Sequence, residues 1–377
     1  MTKITESAVR EALSRVEDPE LNRPITDLGM VKSIAINGSN VDVEIYLTIA
    51  ACPMRNTLLT NTKAAVEEIE GVTNVTATAD VMSDDQRRQL RNTLRGTASE
   101  PEIPFSKPGS TTRVYAVASG KGGVGKSSVT VNLATALADQ GLRVGIIDAD
   151  IYGHSIPTLM GSDQQPTMME ENLIIPPVSH GVKIISIGHF VQGNAPVVWR
   201  GPMLHRAIQQ FLTDVFWGDL DILFLDLPPG TGDIAISVAQ LVPNAELLVV
   251  TTPQHAAAEV AERAGSIAQQ TQQRIGGVIE NMGTMTLPDG STIDIFGSGG
   301  GQTVADRLST FTGATVPLMG QIPLDPALRI HGDTGKPVVI AEPDAPAAKV
   351  FRDIAQQIIV RRNSIAGKPL NLGVTRK

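Results

Sequence analysis

"VASGKGGVGKSSVT", Val117–Thr130, carries the pattern G-x-x-x-x-G-K-[ST] from Gly120 to Ser127, with a second lysine, Lys121, inside it. Upstream, "RVYAVAS" is a short apolar run of strand type. Downstream, "KSSVTVNLATALADQ" has helical period and meets Gly141 as a stop. Strand, glycine loop and helix in that order read as a phosphate loop rather than a glycine turn. The glycines let backbone N–H groups turn toward phosphate oxygens, and the helix N-terminus adds a favourable dipole. The expected ATP-binding loop is therefore Gly120, Lys121, Gly122, Gly123, Val124, Gly125, Lys126, Ser127 and Ser128. Lys126 is placed to lie along the β- and γ-phosphates, and Ser127 to ligate Mg²⁺.

Working outward, six further apolar runs follow the same strand type: "RVGIIDAD", "VKIISIG", "DILFLDLP", "AELLVVTT", "IGGVIEN" and "ATVPLMGQIP". Continuous Val/Ile/Leu runs separated by helical segments predict a mostly parallel, doubly wound α/β sheet covered on both faces. Two of the runs end in aspartates. Asp226 closes "DILFLD" and suits a carboxylate that holds Mg²⁺ through water, or else caps the next helix. Asp148 and Asp150 sit on alternate positions of "DADIYG"; one can support Mg²⁺ while the other orients a water, or both are solvated turn residues.

The stretch "RGTASEPEIPFSKPGSTT", residues 95–112, has neither period and reads as a linker. Before it, residues 1–94 predict a small α+β domain. "SAVREALSRV" is a helix and "VDVEIYLTI" an alternating strand. "RNTLLTNTKAAVEEIEG" is a helix with Leu59, Val66 and Ile69 on one side, and "VTNVTATADV" is another strand. Residues 113–362 form the expected P-loop ATPase domain, and 363–377 a basic tail.

Composition narrows the function. Of 377 residues, 3% are aromatic and the net charge is −8, which argues against a nucleic-acid partner. No apolar run approaches the ~20 residues of a membrane span, and the start is too polar for a signal peptide, so no membrane partner and a cytoplasmic location are expected. A single cysteine, Cys52, leaves no intrachain disulfide framework. The six histidines show no metal-ligand spacing.

"KGGVGKSS", "DADIYG" and "DLPPGTGD" together resemble the deviant Walker A group of P-loop ATPases, which includes MinD and ParA. The resemblance implies a homodimer in which Lys121 reaches across to the partner's phosphates; a solvated loop lysine is the alternative. More narrowly, "DADIYGHSIPTLMG", "VVWRGPMLHRAIQQFL", "TTPQ", "IENM" and "IFGSGGG" resemble the Mrp/ApbC-type iron–sulfur cluster carriers. "VEDPELNRPITDLGMV" and "LTIAACPMR" resemble the small domain fused ahead of many of them. The resemblance implies a slow Mg-ATPase that carries a labile iron–sulfur cluster, with iron–sulfur apoproteins or scaffold proteins as partners. It implies catalytic roles for Lys121, Lys126 and Asp150, a metal site of Ser127, Asp148 and Asp226, and adenine contacts from Asn281, Pro323 and Asp325. Asn281 as a strand-end turn residue is the alternative.

The family pattern also implies a C-x-x-C pair between "ENM" and "FG.GGG". Here that stretch is "GTMTLPDGSTID", without a cysteine, and "LPDG" predicts a turn between two short strands. Cys52, before Pro53 at the start of a helix, remains as a candidate cluster ligand or a small buried hydrophobe. The other function class is a MinD/ParA-like positioning or partition ATPase acting on membrane or DNA. It draws on "AAKVFRDIAQQIIVRR", where Val350, Ile354 and Ile358 follow helical period; packing of that helix on the sheet is the competing account.

Overall fold

The computed structural model describes residues 4–19, 21, 23–48, 54–83, 86, 90, 103–107, 109–150, 153–169, 173–190, 201–230, 233–254, 257–287 and 289–363. The chain forms two compact units: Met1–Glu102 with Gln165–Pro177 and Thr213–Gly218, and the remainder.

In the larger unit all seven apolar runs become strands of one eight-stranded sheet. Across the sheet the order is Val178–Ser179, Val182–Ser186, Val144–Asp148, Ile222–Asp226, Arg113–Ser119, Glu246–Thr251, Ile275–Gly283 and Leu318–Pro323. Only the short edge strand Val178–Ser179 is antiparallel to its neighbour. A parallel sheet is dry on both faces, and every residue of Val144–Asp148, Val182–Ser186 and Ile222–Asp226 is buried. The phosphate-loop strand Arg113–Ser119 lies between Ile222–Asp226 and Glu246–Thr251, so the loop leaves the centre of the carboxyl edge.

The periodic C-terminal segment forms the helix Pro346–Asn363. Its apolar side packs inward: Phe351, Ile354 and Ile358 are each 0% exposed, in the same core as Met319 and Ile322 of the last strand. Gln357 Nε2 donates to the Met319 carbonyl at 2.7 Å. The stripe that a membrane-targeting helix would use is thus spent on the core. No described helix is long and apolar enough to cross a membrane.

The smaller unit has a three-stranded sheet, Val31–Asn37, Asn40–Leu47 and Asn74–Val81, the first pair antiparallel and the second parallel. Helices Glu6–Leu13 and Arg55–Glu67 contribute to its core. The alternation of Val41, Val43, Ile45 and Leu47 holds, all four being buried. On the second helix the inward face is Leu58, Thr62 and Val66; Leu59 and Ile69 are half-buried, which rotates the expected face by one residue.

The same core takes Met169, Leu173, Ile175 and Phe216 from much later in the chain. Thr167–Met169 and Leu173–Ile175 pair as a small antiparallel ladder. Val215 bridges Ile174, with Ile174 N–H donating to Asp214 O and Phe216 N–H to Ile174 O, both at 2.8 Å. This predicts that Leu173→Ala costs about 2–5 kcal/mol and speeds amide exchange in the strand Asn40–Leu47. Unchanged protection there would refute a shared core.

Candidate functional site

The helix Lys126–Asp139 begins at Gly125, whose left-handed φ of 77° turns the loop into the helix without the strain a side chain would meet. Gly120 answers a packing demand: a Cβ there would lie 2.7 Å from Val260 Cγ2. Arg263, one turn on from Val260, donates to the Gly120 carbonyl at 3.1 Å.

At the head of this helix Lys126 is buried and its Nζ lies 2.6 Å from Asp226 Oδ2, itself fully buried. Ser127 Oγ donates to the same oxygen at 2.6 Å. Thr130 Oγ1, one turn along the helix, donates to Asp226 Oδ1 at 2.8 Å. Parallel register sets Asp226 directly beside Asp148 at the ends of adjacent strands. Asp148 Oδ2 accepts from Ser186 Oγ at 3.0 Å and from Ile156 N–H at 3.3 Å, and Oδ1 accepts from Asp150 N–H at 3.2 Å. Burial first, and the neighbouring Asp226 carboxylate second, hold the Asp148 carboxyl well above the ordinary carboxylate range. Asp150 lies just past the strand, and its Oδ1 accepts from Gly153 N–H at 3.1 Å.

These observations fit a hard divalent cation. Two dry carboxylates and a serine hydroxyl converge at the carboxyl edge of the sheet, with one lysine ammonium at Asp226. Oxygen donors in excess of positive charge are what Mg²⁺ takes.

Lys121 is half-exposed and donates from Nζ to Gln254 Oε1 at 2.6 Å, away from the Lys126 cluster. Asn281 is buried against the loop: its Nδ2 donates to Val124 O at 2.8 Å, while its Oδ1 has no partner among the described residues. Next to it Met282 adopts a φ of 61°, a left-handed conformation that costs a non-glycine residue about 1–2 kcal/mol. Pro323 pairs with Gly283 at the end of the neighbouring strand. Asp325 spends its carboxylate within the fold, Oδ1 on Ala327 N–H at 2.9 Å and Oδ2 on Ala347 N–H at 3.2 Å. Gly122, Gly123 and Val124 lie between the strand and the helix, and Ser128 lies in the first helical turn. Cys52 falls outside the described residues. The cysteine-free stretch after Asn281 forms a hairpin of Met285–Thr286 and Thr292–Ile293, as its turn signal predicts.

Sequence reasoning did not single out Thr130, Gln254 or Ser186. Thr130 has a signal in hindsight, since a threonine four residues after Lys126 lies one turn along the same helix face. Gln254 stands in "TTPQ" without a role assigned to it, and Ser186 is brought in by tertiary pairing alone.

A glycine loop between a central parallel strand and a helix, with Lys126, Ser127 and a strand-end Asp226 in contact, defines a nucleotide-binding P-loop NTPase. The chain belongs to the NUBPL iron-transfer P-loop NTPase family, whose model matches residues 110–359, and an iron–sulfur cluster assembly protein model matches residues 6–77. It is 62% identical over 372 residues to the iron–sulfur cluster carrier protein of Mycobacterium tuberculosis, covering 98% of this chain and 97% of that one. To the carrier of the same name in Bacillus subtilis it is 38% identical over 378 residues, covering 94% and 97%. Among solved structures, a nucleotide-binding protein from Archaeoglobus fulgidus in complex with ADP aligns at a TM-score of 0.53 and 36% identity, over 62% of this chain and 90% of that one.

Removing either partner of a buried ion pair leaves a dry, uncompensated charge. Asp226→Ala is therefore expected to cost about 3–5 kcal/mol in urea unfolding, against about 1–3 kcal/mol for Thr130→Val, which leaves only an acceptor unmet. Equal effects would mean that the Lys126 pairing does not govern the site.

Proposed function

We propose that this protein is a slow Mg-ATPase that dimerises around nucleotide and carries iron–sulfur clusters to apoproteins in the cytoplasm. The observation that carries the reading is the Lys126–Ser127–Asp226 contact at the head of the loop, with Asp148 in register beside it. The relatives' shared name and the assembly-protein match over residues 6–77 support the cargo. The same findings favour a carrier over a positioning or partition ATPase, whose membrane-helix support is lost to the core.

In this reading Lys126 exchanges Asp226 for the β- and γ-phosphates, and the N–H groups of residues 120–128 cradle them. Ser127, Asp148 and Asp226 would hold Mg²⁺. The metal, when bound, neutralises charge on the phosphate oxygens. Asp150 orients a water whose oxygen bonds to the γ-phosphorus as the bond to the β–γ bridging oxygen breaks; ADP leaves with that oxygen, and the water's protons pass to phosphate and solvent. Lys121 acts in the partner's site. To do so it leaves Gln254, a hydrogen bond from its ammonium worth about 1.5–3 kcal/mol, in exchange for charge-assisted contacts to phosphate. Asn281 reads the adenine through Oδ1, while Asp325 contributes through backbone, its carboxylate being committed to Ala327 and Ala347.

The hairpin Met285–Ile293 has no thiolate to offer, so any cluster rests on Cys52 from each of two subunits together with ligands from outside. Anaerobic reconstitution is the decisive measurement: wild type is expected to take up iron and sulfide, and Cys52→Ser to lose them. Equal uptake by both proteins would remove Cys52 as the ligand. Lys126→Ala is expected to abolish nucleotide binding. Lys121→Ala should keep affinity within about twofold yet lower kcat about 10²–10³-fold; undiminished turnover and dimerisation would rule out its trans role.

A further inference from the structure

Ser186 is fully buried at the end of the strand Val182–Ser186, where parallel pairing sets it beside Asp148. Its side chain makes two bonds with different meanings. The oxygen accepts from Gly188 N–H at 3.0 Å and so caps the short turn Ile187–His189, while its N–H donates to His189 Nδ1 at 3.2 Å. Capping needs only the oxygen. The hydroxyl hydrogen is committed separately, to Asp148 Oδ2 at 3.0 Å.

The other two donors to Asp148 are Asp150 N–H and Ile156 N–H, both on the segment that leaves the strand after Asp148. Ser186 alone of these three donors comes from the neighbouring strand, so it ties the carboxylate to the sheet. We propose that Ser186 is a positioning residue of the nucleotide site, fixing the plane of the Asp148 carboxylate so that its remaining lone pairs face the metal. This rests on the assignment of Asp148 to Mg²⁺ above and adds a residue to it. Ser186 itself touches neither metal nor phosphate.

The geometry separates metal binding from nucleotide binding, and the test uses that separation. Ser186→Ala, Ser186→Thr and Asp148→Asn are compared with wild type in Mn²⁺ binding to the ADP complex, followed by electron paramagnetic resonance, and in ADP affinity in EDTA by calorimetry. Ser186→Ala is expected to weaken Mn²⁺ binding about tenfold, the scale of a hydrogen bond to a charged group, with ADP affinity in EDTA unchanged. Ser186→Thr, which keeps the hydroxyl, should bind Mn²⁺ like wild type. If Asp148→Asn loses Mn²⁺ while Ser186→Ala retains it, the positioning role is overturned and the metal assignment stands. If Asp148→Asn also retains it, both fall. Loss of ADP affinity in EDTA by Ser186→Ala, or a threonine variant as weak as alanine, would show a general packing effect and equally overturn the inference.

Discussion

Two carboxylates and one ammonium, all buried where three chain segments meet, set the terms for the rest of the larger unit. Charges in a dry interior are tolerated only with close partners, and replacing one partner alone is far costlier than never having buried the set. Asp226 meets its requirement through Lys126, Ser127 and Thr130, all from the first turn and a half of one helix. Asp148 meets its own through neutral donors and keeps its proton above the ordinary range. Replacing the whole set together by well-packed apolar residues would cost the fold nothing or stabilise it. The retention of charge here is an argument for function.

Parallel pairing makes the arrangement possible. In a parallel sheet the carboxyl ends of adjacent strands lie side by side, so residues from distant parts of the chain converge without any loop having to carry them. Register places Asp148 opposite both Asp226 and Ser186, and the phosphate-loop strand on the far side of Asp226. The loop's own helix then brings Lys126 and Thr130 onto one carboxylate.

How much of this was legible depended on whether the signal was local. The phosphate loop, its strand and its helix are contiguous, and the seven apolar runs are continuous and rich in Val and Ile, so both could be read directly. Leu58 rather than Leu59 faces inward because a short helix with mixed apolar spacing leaves its rotation to tertiary packing. The segments around Leu173 and Phe216 look like ordinary connections of the ATPase part, and only packing reveals that they complete the other core. Ser186 sits in "VKIISIG" as one polar residue at a strand end; its meaning lies in a partner 38 positions earlier. The carboxylate of Asp325 shows the converse: its loop resembles a base-contacting one, while the side chain itself accepts from Ala327 and Ala347 N–H.

Asp226 also explains how one loop can respond to nucleotide as a unit. Lys126 and Ser127 both engage Oδ2, whereas Thr130 holds Oδ1. Under the proposed function, phosphates compete for the lysine and the metal for the serine, so both draw a donor from the same oxygen. The two donors share the charge on Oδ2, so releasing one strengthens the bond the other keeps. Thr130 meanwhile keeps the carboxylate from rotating, and the freed oxygen stays aimed at the site. Neither phosphate nor cation alone replaces both bonds, so Asp226 gives up the lysine and the serine together only when both have arrived.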